Sequence, residues 1–501
     1  MSILVFILTG CTQQTSPVPQ LTKNIHGTTQ LMVDGRPFLM IAGELHNSSA
    51  STIEYMTLLF RQLKEMNPNT VLAVIAWEQF EPQEGIFDYT LVDAMLDNAR
   101  KDELKQVLLW FGSWKNGESS YMPIWVKQDT QRFFRVKNEE GKNIEVVSPF
   151  CIEAMQADSK AFSTLMQRLA KVDKERTVII VQPENEVGLF QEMDFNEIAL
   201  TQFQQNVSTE LTGYLERNTD LLKENIRQQW KDNGSKTQGT WKEVFGDSIQ
   251  TKEIFMAWQY ATYINEIAKA EKAAYPLPMF VNAWLVQYPG QTPGKYPNGG
   301  RVVHVMDIYK ARAEHIDAVC PDIYLPNFKE ICAEYTRTDN PLIIPESRME
   351  AGRAFYAFAE HHAICFAPFA IEDGDGNIQL IQSYGMLKEL EELIPKYQRS
   401  GKIRGVLKAK DKTEQEISFG DYIFRIEYEK NKEEAFGLII QTGENDFIFS
   451  GMNYRAYVSH RSAEKTACIL QVWEDRFENK EWVPTRLLTP GIYKVTVYTR
   501  D

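Results

Sequence analysis

Cysteine is scarce, runs of basic residues are absent, and no apolar stretch is long enough to cross a bilayer. Six cysteines among 501 residues, with no Cys-x-x-Cys pair, exclude a disulfide scaffold and leave structural zinc without its usual ligand spacing. No His-Glu-x-x-His or comparable spacing occurs either, so no metal and no other cofactor is expected. The chain carries 54 basic against 68 acidic side chains, a formal charge of −14, and no Lys/Arg cluster overrides that balance locally. Such a surface repels phosphate backbones, which excludes nucleic acid as a partner. No Gly-x-Gly-x-x-Gly follows an early strand, and Gly299-Gly300-Arg301 is too slight for a phosphate loop and reads as a turn. What is present, 43% hydrophobic and 24% charged residues, is the composition of a globular chain able to bury a large core. At about 100–200 residues per domain, the length fits one large unit with a smaller companion.

The first residues read as an address. Ser2 to Leu8 are almost continuously apolar, but a spanning helix needs about 20 such residues, so the segment is an export signal rather than an anchor. Leu8-Thr9-Gly10-Cys11 resembles a bacterial lipobox, in which the Cys is lipidated; the polar residues after Cys11 then form a tether. The segment lacks the Lys or Arg that normally precedes the apolar stretch, and a chance Cys after a short apolar tail is the alternative. The expectation is residues 1–11 as signal, 12–28 as tether, and an exported periplasmic or outer-membrane lipoprotein of a Gram-negative bacterium, touching the membrane only through that lipid.

From residue 29 to about 400, short apolar runs alternate with stretches of helical period. A hairpin at Asp34-Gly35, a pair that tolerates positive φ, comes first. Eight runs follow: 40–43, 71–77, 107–111, 178–182, 279–284, 318–324, 342–345 and 364–369. Ser51 with Glu54, and Thr90 with Asp93, offer acceptors to helix N-termini, and Ile53, Met56, Phe60 and Leu63 share one helical face. Apolar strands alternating with amphipathic helices imply a parallel sheet covered by helices, and eight units imply an α/β fold, a (β/α)8 TIM barrel, over residues 29–400. A doubly wound open sheet is the alternative. The stretch 230–247 reads as an insertion after the fourth strand. Beyond Gly401 the pattern becomes short alternating strands separated by turn clusters, near 416–419, 422–427, 436–441, 456–459, 468–472 and 493–498, which predicts an all-β, sandwich-like domain over 401–501.

In such a barrel the functional side chains stand at the C-terminal ends of the strands. Strand four ends Gln182-Pro183-Glu184-Asn185-Glu186, and strand seven ends Pro345-Glu346-Ser347. A Glu directly after a buried run is costly in a dry core, so it is paired, hydrogen-bonded or facing a pocket. Two carboxyls across one barrel mouth are the equipment of glycoside hydrolysis, one ionised to attack the anomeric carbon and one protonated to release the leaving oxygen. Other strand ends supply candidate sugar contacts: Glu44 and His46 after strand one, Trp77 at strand two, Trp114, Lys115 and Asn116 after strand three, Asn282 and Trp284 at strand five, and Tyr324 at strand six. The 12% aromatic content, with ten Trp, suits stacking platforms for sugar rings.

Gln182-Pro183-Glu184-Asn185-Glu186 closely resembles the Gln-x-Glu-Asn-Glu signature of family 35 glycoside hydrolases, retaining β-galactosidases with catalytic Glu residues on barrel strands four and seven. The resemblance implies Glu186 as acid/base, Glu346 as nucleophile, Asn185 as partner of the sugar 2-hydroxyl, and Tyr324 as the hydroxyl holding the nucleophile. Trp77-Glu78-Gln79-Phe80-Glu81-Pro82 with Gly85-Ile86-Phe87-Asp88-Tyr89 is similar to the family's Trp-Asn-x-His-Glu-Pro…Gly-x-Phe-Asp-Phe, departing from it at Glu78 and Phe80. The likeness spans most of residues 30–370, and the C-terminal region resembles the accessory β domain of one bacterial branch. The expectation is an exo-acting β-galactosidase trimming terminal galactose from oligo- or polysaccharide. A β-glycosidase for another sugar (glucoside, mannoside or arabinoside) and a non-catalytic glycan-binding lipoprotein are the alternatives.

Overall fold

The computed structural model describes residues 16–478, 481–486 and 492–500. The expected signal segment and Cys11 lie outside the described residues. Eight parallel strands form the barrel: β1 (Met40–Glu44), β2 (Thr70–Ala76), β3 (Lys105–Lys115), β4 (Val178–Asn185), β5 (Phe280–Ala283), β6 (Ala318–Ile323), β7 (Ile343–Ile344 and Glu346–Ser347, interrupted at Pro345) and β8 (Cys365–Phe366). Parallel ladders run β8–β1–β2–β3–β4 and β5–β6–β7–β8. The ring closes between β4 and β5 through one parallel bridge, Val181 to Met279.

The near-continuous apolar runs have a simple cause, since both faces of every strand are covered. Met40, Ala42, Leu72, Val74, Val107 and Leu109 point into the barrel, while the alternating Ile41, Val71, Ala73, Ile75 and Leu108 join the shell between strands and helices. Each such side chain contributes about 1.5–3 kcal/mol when fully buried. Among the described residues no helix is long and apolar enough to cross a membrane.

Several local expectations change. The helix Ile53–Glu65 is capped by Thr52, which accepts the N–H of Tyr55, not by Ser51, and it buries Met56, Leu59, Phe60 and Leu63 while Ile53 faces solvent. Ahead of the helix Thr90–Lys101, Asp88 rather than Thr90 takes a free backbone N–H, that of Thr90 itself, at 2.8 Å. Gln20–Lys23, within the expected tether, forms a strand antiparallel to Thr29–Val33 and extends the hairpin to three strands. The stretch 230–247 spans the end of one short helix, Glu224–Asp232, and all of another, Trp241–Phe245, whose Thr240 and Glu243 complete a capping box.

The C-terminal region packs a six-stranded antiparallel sheet on a three-stranded one. Phe419, Phe424, Phe447, Phe449, Ile426 and Ile439 fill the space between them. Strand Phe436–Gln441 is buried on both faces because its alternate residues serve two cores. Phe436, Leu438 and Ile440 join the barrel's helical shell, with Phe436 5.3 Å from Phe355, while Ile439 joins the sandwich.

Gly43 in β1 touches the turn that carries Glu372. A Cβ on it would lie 2.2 Å from Ile371 Cδ1 and 2.8 Å from Ile371 Cβ. Gly43→Ala is therefore expected to destabilise the protein by about 1–3 kcal/mol, as overpacked cores do. Ile371→Ala in the same chain should recover part of that loss; thermal melting of the two variants provides the check.

Candidate active site

The end of β4 is held in an uncommon backbone. Glu184 and Glu186 have φ of 59° and 44°, in the left-handed region that non-glycine residues rarely occupy. The two carboxyls consequently serve different sites. Glu184 turns under the strand and accepts the backbone N–H groups of Ser113 at 2.9 Å and Trp114 at 2.7 Å. It also shares a hydrogen bond with Asp158, which takes the Trp110 indole N–H at 2.8 Å and the Ser113 hydroxyl at 2.6 Å. Burial raises the proton affinity of both carboxyls, and the charge of Asp158 and the hydrogen bond between them raise that of Glu184 further. Glu184 thus fastens β4 to the end of β3. Two further bonds assist, from Asn116 N–H to Asn185 O at 3.2 Å and from Gly117 N–H to Glu186 O at 3.1 Å.

Glu186 faces the barrel mouth. Its backbone N–H is received by the Asn282 side-chain oxygen at 3.0 Å, which joins β4 to β5 beside the single bridge that closes the ring. The Asn282 amide forks toward Asp322 Oδ2 at 2.8 Å and Glu346 Oε1 at 3.3 Å. Asn185 donates to the same Glu346 oxygen at 3.3 Å, and the Tyr324 hydroxyl donates to Glu346 Oε2 at 2.8 Å. Three donors thus converge on Glu346, the environment of an acceptor-only carboxylate. Burial and the Glu346 charge hold the Tyr324 proton firmly in place as a donor.

Carboxylate oxygens of Glu186, Asp322 and Glu346 lie within 4.8 Å of one another. Burial first, then the charge of Glu346, pushes the Glu186 carboxyl up to about 8, with Lys115 working in the opposite direction. Asp322 and Glu44 are raised in the same way. The acidic trio has the spacing and the oxygen ligands to hold a hard cation, but Asp322 and Glu346 already receive amide or hydroxyl hydrogen bonds.

The other expected contacts divide. Glu44 is buried with its charge facing Glu346 and Glu186, and its Oε1 has no protein partner. Lys115 lies almost buried with Nζ 2.7 Å from Asn116 Oδ1, facing Glu44 and Glu186. Trp284, half-buried, meets the edge of exposed Phe190 at 5.8 Å, so an aromatic pair stands just beyond Asn282. His46 is tied to Asp373 at 2.9 Å, and Glu372 accepts the His46 backbone N–H at 2.9 Å and the Ser49 hydroxyl at 2.7 Å. Two expectations are corrected. Trp77 and Trp114 are fully enclosed, Trp77 donating to Glu81 at 2.8 Å and Trp114 to Val147 O at 3.1 Å between Tyr260 and Tyr263, and neither offers a face to a sugar. Of the departures from the family pattern, Glu78 pairs with Lys127 at 2.8 Å and Phe80 is core. The residue that sequence reasoning missed is Asp322. It ends a buried run as Glu186 does, so the same argument could have found it.

The family model of Glycosyl hydrolases family 35 matches residues 30–296, and that of a domain of unknown function, DUF5597, matches residues 380–489. Beta-galactosidase 11 of Arabidopsis thaliana is 25% identical over 121 residues, which are 23% of this chain and 14% of that protein. Among solved structures, the beta-galactosidase from Bacillus circulans sp. alkalophilus is 12% identical with a TM-score of 0.48, over 71% of this chain and 57% of that one. The beta-galactosidase from Rahnella sp. R3 is 13% identical at 0.48 over the same shares. The catalytic domain of beta-amylase from Paenibacillus polymyxa is 12% identical at 0.46, over 67% of this chain and 94% of that one. The match thus spans about one-seventh of the curated relative and a little over half of the two beta-galactosidase structures. Since the family model covers more than half of its length, the chain belongs to Glycosyl hydrolases family 35.

Proposed function

We propose that the protein is a retaining, exo-acting β-galactosidase that removes terminal β-galactosyl residues from glycans. The observation that carries this reading is the meeting, within 4.8 Å, of a Glu186 that keeps its proton at neutral pH and a Glu346 surrounded by three donors. Oxygens that approach within 4.8 Å favour the roughly 5–5.5 Å carboxyl separation of a retaining site over the roughly 6.5–9.5 Å that leaves room for the water of an inverting one. In the first step Glu346 attacks the anomeric carbon, the glycosidic C–O bond breaks, and the Glu186 proton passes to the departing oxygen. In the second, water attacks the same carbon, Glu186 takes a proton from it, and the bond to Glu346 breaks.

The exo mode rests on the resemblance of Gln182–Glu186 to the family signature; Glu372 fastens the loop after β1 to the turn after β8. Galactose is supported by the family and by the names of its relatives. In this reading Glu44, Lys115, Asn116 and the Trp284–Phe190 pair would meet the hydroxyls and the apolar face of the sugar. An exported, Cys11-tethered protein would bring this site to glycans outside the cytoplasm.

A panel of aryl β-glycosides, with proton NMR of the first sugar released, tests the reading: galactoside turnover with net retention is expected. Preference for another glycoside would move the specificity, and no hydrolysis of any would favour a glycan-binding protein. Glu346→Gly should abolish turnover and regain it with azide, which takes the place of the missing nucleophile and yields the inverted glycosyl azide; unchanged activity would remove the assignment.

The pH profile is a separate test. Glu186 must be protonated for the first step, and its proton affinity is raised, so kcat/KM should hold below and fall as pH rises through about 8. In Glu186→Gln that limb should vanish. Poor leaving groups should lose about 10²–10⁴-fold, while activated ones keep their glycosylation step.

A further inference from the structure

Asp322 stands in the middle of the proposed catalytic groups with no role yet assigned. It is buried at the end of β6, in register with Glu346. Its Oδ2 accepts the Asn282 amide at 2.8 Å, whereas its Oδ1 receives no donor from the protein. An oxygen of this carboxyl lies within 4.8 Å of one of Glu186, and a side-chain hydrogen bond between the two raises the proton affinity of Asp322 while lowering that of Glu186. Two ionised carboxylates are acceptors only, so such a contact in a dry site requires a proton between them.

We propose that Asp322 is a positioning residue that stays protonated through the cycle and donates that proton to one oxygen of Glu186. The inference rests on the reading of Glu186 as acid/base. An occupied oxygen forces Glu186's own proton onto the other one, where a leaving group can receive it. Once Glu186 has given that proton up, the same hydrogen bond stabilises its carboxylate until water supplies the next.

The surroundings favour this state. Asp322 is faced by Glu346 from β7, Glu186 from β4, Glu44 from β1, Tyr324 at the end of its own strand, Tyr335 from the helix Phe328–Tyr335, and Arg301 from the loop after β5. Arg301, in the motif read as a mere turn, is the one cation in that set. Its guanidinium is directed to the carbonyls of Asn282 at 3.2 Å and Pro183 at 3.5 Å, and it makes no ion pair with Asp322. The second cation of the mouth, Lys115, faces Glu186 and Glu44. Burial and the Glu346 charge accordingly raise the proton affinity of Asp322.

Asp322→Asn and Asp322→Leu separate this role from simple packing. In Asp322→Asn the amide oxygen can still accept from Asn282 and the amide nitrogen can donate to Glu186, mimicking the protonated acid. Asp322→Leu should lower kcat by about 100-fold with little change in KM, and should move the alkaline limb of kcat/KM up by about one pH unit, because ionised Glu186 loses its donor. Asp322→Asn should recover most of the lost kcat and return the limb to its wild-type position. Infrared difference spectra of wild type minus Asp322→Asn at neutral pH should contain the C=O stretch of a protonated carboxyl, a readout that needs neither turnover nor a folded Leu variant. An ionised carboxylate band in its place, or an Asn variant as impaired as the Leu variant at equal melting temperature, would overturn the proposal. Absence of glycosidase activity in the wild type would instead strike the functional reading, and the infrared band would still decide whether Asp322 holds its proton.

Discussion

Crowding carboxyl groups into the dry mouth of one barrel is the constraint on which the rest of this structure depends. At an effective dielectric constant near 20, two unit charges 4.8 Å apart repel by roughly 3.5 kcal/mol, and burial adds to that cost. The fold meets the constraint by distributing donors and protons unequally. Glu346 collects three hydrogen bonds, Glu186 keeps a proton, and Asn282 links both to Asp322 through one side chain. A second carboxyl pair, Glu184 with Asp158, uses the same device beneath the strand ends to anchor the backbone that presents Glu186. Two roles for two glutamates of one motif, with Asn185 between them, therefore follow from the left-handed φ at both positions.

The barrel was legible because burial on both faces leaves a strong mark: each of the eight apolar runs overlaps a barrel strand. The meeting of Glu186, Asn185, Glu346 and Tyr324 was legible for a related reason, since polar residues that follow such runs gather at one end of the barrel, although Glu184 there turns beneath the strand. The same logic over-reads tryptophan. Trp77 and Trp114 occupy strand ends too, but an indole can be satisfied inside the core by a single acceptor, and the sequence does not distinguish that from a stacking platform. Helix caps slipped by a residue or two because Ser51, Thr52, Asp88 and Thr90 offer nearly equivalent oxygens, and only the path of the chain decides between them.

In the C-terminal domain the strands Ile403–Leu407, Asp446–Met452 and Glu481–Arg486 escaped sequence reasoning. Glycine explains the second. Gly451 opposes Gly437 across an antiparallel ladder, and a Cβ on either would come within 2.1 Å of a carbonyl of the facing strand. Glycine there permits close approach of two backbones, whereas in sequence it reads as a turn. The two-faced strand Phe436–Gln441 lies directly beside it, so this close pairing sits where the β domain meets the barrel's helical shell.

The family match ends at residue 296, short of Arg301, Asp322, Tyr324 and Glu346. Half of the candidate site thus lies beyond the matched residues, and ring closure brings it to the other half. That closure is thinnest between β4 and β5, where one backbone bridge is supplemented by the Asn282 bond to Glu186 N–H. Asn282 is therefore both part of the seam and the distributor of hydrogen bonds to Asp322 and Glu346. If the seam opens, the amide fork moves with it, and Glu186 and Glu346 lose their shared reference. Geometry at the mouth and integrity of the ring are in this way one property, held by a side chain that any local reading would rank below the two glutamates it aligns.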